Sequence, residues 1–153
     1  MRTIRDDEEA LLAVDGPLVL VVTRIAPTPE SFAPFRDAIR ELLASSDGHA
    51  YVLVVMRARR PRLVADVRTM MLALWREIGD RIVVAAWIGR DSFAGAIQRS
   101  VVTGLSLLAI ARTPIKVVSD GRDALAWFVE RDATLAEHCG RWQQAIDAAV
   151  IDP

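Results

Sequence analysis

Cysteine is nearly missing from this chain of 153 residues, where Cys139 stands alone. One thiol forms no internal disulfide and builds no multi-cysteine zinc site. The two histidines, His49 and His138, lie far apart and make no metal set. Lysine is as scarce as cysteine: Lys116 is the only one, so arginine carries the positive charge. An excess of either sign is also missing, since the net charge is -1, and no bulk attraction to nucleic acid or anionic membrane follows. The longest quiet apolar run, residues 101–111, falls short of the roughly 20 residues that span a bilayer. Residues 1–9 are acidic and lack the apolar core of a signal peptide. These absences lead us to expect a cytoplasmic protein without nucleic-acid partners or a transmembrane segment.

What the chain has is apolar residues, 52% of the total against 25% charged, a globular balance. Its length suits one domain over residues 1–153 with a real core. The stretch from Tyr51 to Arg62 shows the pattern best. Tyr51-Val52-Leu53-Val54-Val55-Met56 is continuously apolar, which reads as a strand buried on both faces of a sheet. Arg57, Arg59, Arg60 and Arg62 then surround Pro61, which forbids the strand from continuing.

Taken in order, Ala10–Val14 reads as a short edge strand or a helical turn, and Asp15-Gly16 signals a hairpin into a strand over 17–24. Thr28-Pro29-Glu30 supplies a cap, a proline at the first helical position and an acidic first turn. Phe32, Phe35, Ile39, Leu42 and Leu43 share one face of the helix that follows. After the 51–56 strand comes a helix over about 62–79, with a stripe of Leu63, Val67, Met70, Met71, Leu74 and Ile78. Residues 82–88 make another core strand, 91–111 a nearly all-apolar helix, and 115–118 a short strand leading into a helix with Leu125, Trp127 and Phe128. Thr134 and Glu137 have capping-box spacing and open a last helix over about 134–150.

The order is β-β-α-β-α-β-α-β-α plus a C-terminal helix. It predicts a mixed, mostly parallel sheet of four to five strands with helices on both faces, an α/β fold. The C-terminal stripe of Leu135, Trp142, Ile146 and Ala149 must cover something. It packs either on its own sheet or on a second copy or partner, which makes Leu135, Trp142 and Ile146 candidates for self-association.

Three core strands end in arginine, at Arg24, Arg57 and Arg90, and Arg122 follows the fourth. In an open parallel sheet these positions share the carboxyl edge, where ligands of α/β folds bind and helix N-termini favour anions. Arg24, Arg57, Arg59, Arg60, Arg62 and Arg90 are therefore candidates for binding an acidic peptide, a phosphate or an anionic lipid headgroup. The alternative is a solvated rim in which these arginines pair with Glu30, Asp91 and Asp120. Catalytic sets are wanting. His138 and Cys139 are adjacent on a helix and do not face each other. Gly89-Arg90-Asp91-Ser92-Phe93-Ala94-Gly95 lacks the lysine of a phosphate-binding loop and the close glycines of a dinucleotide loop. We expect no enzyme, no cofactor and no metal.

Residues 97–108 form a small-residue-rich run, followed by Pro114-Ile115-Lys116-Val117-Val118 and then Ala124-Leu125-Ala126-Trp127-Phe128. With this element order, the chain resembles the STAS domain superfamily over about residues 10–131, closest to its SpoIIAA-like or STAS/SEC14-like small bacterial proteins. The resemblance implies a regulatory, protein-binding module, with lipid-binding relatives as the alternative. Antagonist STAS domains resemble one another in a phosphorylatable serine, within an Asp-x-Ser-Gly-like loop after the third strand. Here that place holds Arg57 to Arg62, and the first hydroxyl beyond is Thr69. Ser92, after Asp91, is a displaced candidate for phosphorylation. The expectation is thus a non-enzymatic module of the STAS-like type without the serine switch, bound to another protein or to itself as a homodimer. The alternative is a carrier of anionic ligands or lipids that uses the arginine edge.

Overall fold

Gly16 sits at φ 55, the left-handed backbone that a mirror-type hairpin turn needs at its first central residue. It joins β2 (Ala10–Asp15) to β3 (Leu18–Thr23), which pair antiparallel with Asp15 opposite Leu18. The computed structural model describes residues 1–45, 47–57, 65–88 and 113–151. Its sheet has six strands in the order β1-β2-β3-β4-β5-β6, so spatial order follows chain order. β3 pairs parallel with β4 (Ala50–Met56), β4 with β5 (Ile82–Ile88) and β5 with β6 (Ile115–Val118). The expected α/β class with a mostly parallel mixed sheet is what the chain forms.

The sixth strand was not expected. β1 (Arg2–Asp6) pairs antiparallel with β2, with a register shift between Thr3 and Arg5. Ala10–Asp15 is therefore an inner strand and not the sheet's edge. β1 is exposed along most of its length, so it lacks the apolar alternation that marks a strand in sequence. Its charges and its irregular register are typical of protected edge strands.

Side-chain alternation splits the core in two. On one face Leu12, Val19, Val52, Ile82 and Val84 meet α1 (Pro29–Ala44) and α2 (Ala65–Ile78). Thr28 caps α1: its hydroxyl accepts from the Ser31 N–H at 3.2 Å, and Ser31 Oγ accepts from the Thr28 N–H at 2.8 Å. The two helices meet through Phe35 and Trp75, edge to face at 6.2 Å, and through Arg40 Nη2 on Glu77 Oε2 at 2.5 Å. The α2 stripe is as expected at Val67, Leu74 and Ile78, whereas Met70 and Met71 are only half-buried and Trp75 takes their place. The expected helix over 91–111, the start of α2 at 62–64 and the small-residue run 97–108 lie outside the described residues.

On the other face Leu18, Leu20, Leu53, Val83 and Ala85 meet α3 (Gly121–Arg131) and α4 (Cys139–Ile151), joined by a 3-10 segment (Ala133–His138). Thr134 does not cap this segment. Asp132 does, accepting from the Thr134 N–H at 3.0 Å and from its hydroxyl at 2.6 Å. Gly121 allows α4 to come close, because a Cβ there would sit 3.0 Å from Ile146 Cγ2.

The C-terminal stripe settles on its own sheet. Leu135 is 3% exposed, and Trp142 and Ile146 are 0% exposed, within the same cluster as Leu18 and Phe128. These three residues are interior and do not form a self-association surface, which corrects that expectation. The cause is geometric: the turn at Asp132 folds α4 back along α3 and onto β3.

Candidate functional site

The parallel register sets Thr23 beside Met56, so Arg24 and Arg57 leave neighbouring strands at one edge of the sheet. The Arg57 N–H donates to the Thr23 carbonyl at 2.9 Å, which fixes the two chain exits against each other. β1 runs parallel to β3, and its turn into β2 delivers Asp6, Asp7 and Glu9 to the same edge.

Arg24 is committed to that acidic turn. Its Nη1 meets Asp6 Oδ1 at 2.7 Å and donates to the Asp7 carbonyl, while its backbone N–H donates to the Glu9 carbonyl at 2.9 Å. Arg5 binds Asp7 Oδ2 at 2.5 Å and Glu9 Oε2 at 2.6 Å. The Arg5 guanidinium, with the Ala10 and Glu9 backbone N–H groups, holds the Asp7 carboxyl below its usual range. At Arg24 the rim is thus an ion-pair network; among the described residues its carboxylates come from β1 and its turn into β2 and not from Glu30 or Asp120, while Asp91 lies outside the described residues. No signal in residues 1–9 placed that turn here, because β1 itself was illegible. Arg57 is exposed beside it. Arg59, Arg60, Arg62, Arg90 and Ser92 lie outside the described residues, so two of the six edge arginines are placed and brought together.

At the opposite edge, Asp15 ties the hairpin to α4. Its Oδ2 accepts from Trp142 Nε1 at 3.1 Å and from Arg141 Nε at 2.8 Å, and its Oδ1 accepts from Arg141 Nη2 at 3.1 Å. Tyr51, at the start of β4, reaches Asp132 Oδ2 with its hydroxyl at 3.3 Å. Burial, then the Asp132 charge, pushes the Tyr51 phenol up to about 12. Hydrogen bonding to Thr134 holds Asp132 low. A buried phenol held neutral and a carboxylate held ionised form a structural pair here, tied through the Thr134 hydroxyl to the start of the 3-10 segment.

Cys139 opens α4 and is half-buried, with Sγ 3.5 Å from the Leu135 carbonyl. Burial pushes its thiol up, away from the thiolate that nucleophilic or redox work requires. His138 turns to the Trp142 ring at 5.2 Å and to Glu137 at 3.5 Å. Cys139 lines an open groove of about 620 Å³ between α3 and α4, with Arg122, Ala126, Glu130, Gly140 and Gln143. Among the described residues, no cluster of three or more His, Cys, Asp or Glu could hold a metal ion. No helix of the described residues is long and apolar enough to cross a membrane.

No family model, no curated protein and no solved structure matches this chain.

Proposed function

We propose that this chain is a non-enzymatic regulatory module of the STAS-like type that acts by binding another protein. The observation that carries the reading is the run from Pro114 to Phe128. It forms a strand, β6, turning through Ser119-Asp120 into α3, at the end of a sheet that adds strands in chain order. Those are among the residues on which the resemblance rests; the run 97–108, which also carries it, lies outside the described residues. A carboxyl edge of interleaved Arg5, Arg24, Asp6, Asp7 and Glu9 adds support, since mixed charge suits recognition of a protein surface better than capture of a free anion. Arg57 stands where relatives place a phosphorylatable serine, which favours constitutive binding without that switch.

The test is affinity purification of the tagged chain from its native cell, with and without reversal of Arg24 and Arg57. A reproducible protein partner lost on reversal supports the reading. No partner in repeated captures sinks it. The carrier alternative rests on Arg57, exposed at a strand end. It predicts a thermal shift with anionic vesicles or nucleotides that Arg57→Ala removes.

A further inference from the structure

We propose that the outer face of α3 and α4 is a homodimer surface, in which α3 of a second copy lies antiparallel in the groove between them. The groove has an apolar, small-residue floor at Ala126, Val129, Ala136 and Gly140. Small residues let helix axes approach closely, and a facing helix fills the channel as a ridge fills a groove.

The choice of a second copy comes from charge. Arg122 and Glu130 flank Ala126 on the exposed side of α3, each four residues away and so about one turn from it. Neither makes a hydrogen bond or an ion pair among the described residues, although most other charges near them do. An antiparallel two-fold crossing at Ala126 sets Arg122 of each copy against Glu130 of the other. One surface then supplies both halves of two ion pairs, the self-complementarity that a two-fold interface requires. The usual candidates for such a face, Leu135, Trp142 and Ile146, are already interior. This inference does not rest on the STAS-like reading, because it uses only the geometry of two helices.

Sedimentation velocity tests it, at about 10–200 µM, where interfaces of modest area associate. The wild-type chain should dimerise in that range. Arg122→Glu and Glu130→Arg should each weaken association by about tenfold, because each creates two like-charge contacts, and the double exchange should restore it. A direct probe is Ala126→Cys in a Cys139→Ser background. At the crossing point the two Cα atoms should come within roughly the 4.4–6.8 Å of a disulfide, so mild oxidation should give a covalent dimer. Ala126 is exposed, so this variant keeps the fold. A chain that stays monomeric throughout the range, a double exchange that fails to restore association, or no cross-link in the folded Ala126→Cys protein each overturns the proposal. The outcome is independent of whether a cellular partner is captured.

Discussion

Trp142 is fully buried and still satisfies its indole N–H on Asp15, a carboxylate shared with Arg141. Truncation to alanine leaves a cavity the size of an indole and should cost about 3–5 kcal/mol in urea unfolding. Asp15→Ala leaves that N–H without its acceptor and should cost about 1–3 kcal/mol. Gly121 is constrained from the other side of the same contact. A methyl there would sit 3.0 Å from the buried Ile146 Cγ2, so Gly121→Ala should destabilise by about 1 kcal/mol despite its better helix propensity. An unchanged or raised midpoint would show that Ile146 yields. Tyr51 supplies the pH dependence. Its folded phenol is raised from the ordinary 10.0 to about 12, so the stability it gives is fully present below pH 10 and is lost as pH rises through 12. Unfolding midpoints should fall over that window, and Tyr51→Phe should flatten the fall relative to wild type.

At the scale of elements, β1 and α4 stand first and last in the element order but are not equivalent. β1 touches β2 and carries little buried surface, so removing residues 1–6 should lower the melting temperature and leave a cooperative fold. α4 covers Leu18, Phe128 and Leu125 with Trp142 and Ile146. A chain ending at residue 131 should therefore expose that face, bind hydrophobic dyes and lose near-ultraviolet dichroism. Sequence patterns anticipated these elements unevenly. Thr28-Pro29 and Asp15-Gly16 announce themselves because capping and positive φ are local requirements, met within four residues. Sequence points to Thr134 as the cap where Asp132 serves, since two hydroxyl- or carboxyl-bearing residues two apart offer the same chemistry and backbone geometry decides. β1 leaves no mark in the sequence because a strand held mainly by backbone pairing carries no apolar signature. The stripe of α4 was legible, but its destination was not, because burial against self and against a partner demand the same residues.

For the whole molecule, the parallel core and the helices on both faces followed from alternating strand and helix patterns, which are properties of the chain alone. The edge site was only half legible. That Arg24 and Arg57 would share an edge follows from parallel strands, but the acidic turn that neutralises Arg24 comes from residues with no periodicity to locate them. The strand order has one more consequence. Because each strand docks beside its predecessor, the sheet can grow in the direction of synthesis, and α1 and α2 close one face as they appear. The opposite face cannot close in this way. Trp142 and Asp15 are 127 residues apart, so the lid over β3 is made long after the hairpin it is tied to. A ribosome-bound chain that lacks α4 is therefore a half-covered sheet, with Leu18, Leu20 and Leu53 open to chaperones until that helix emerges. Stalled chains ending at 131 should be cleaved quickly by protease, and chains that include α4 should resist it.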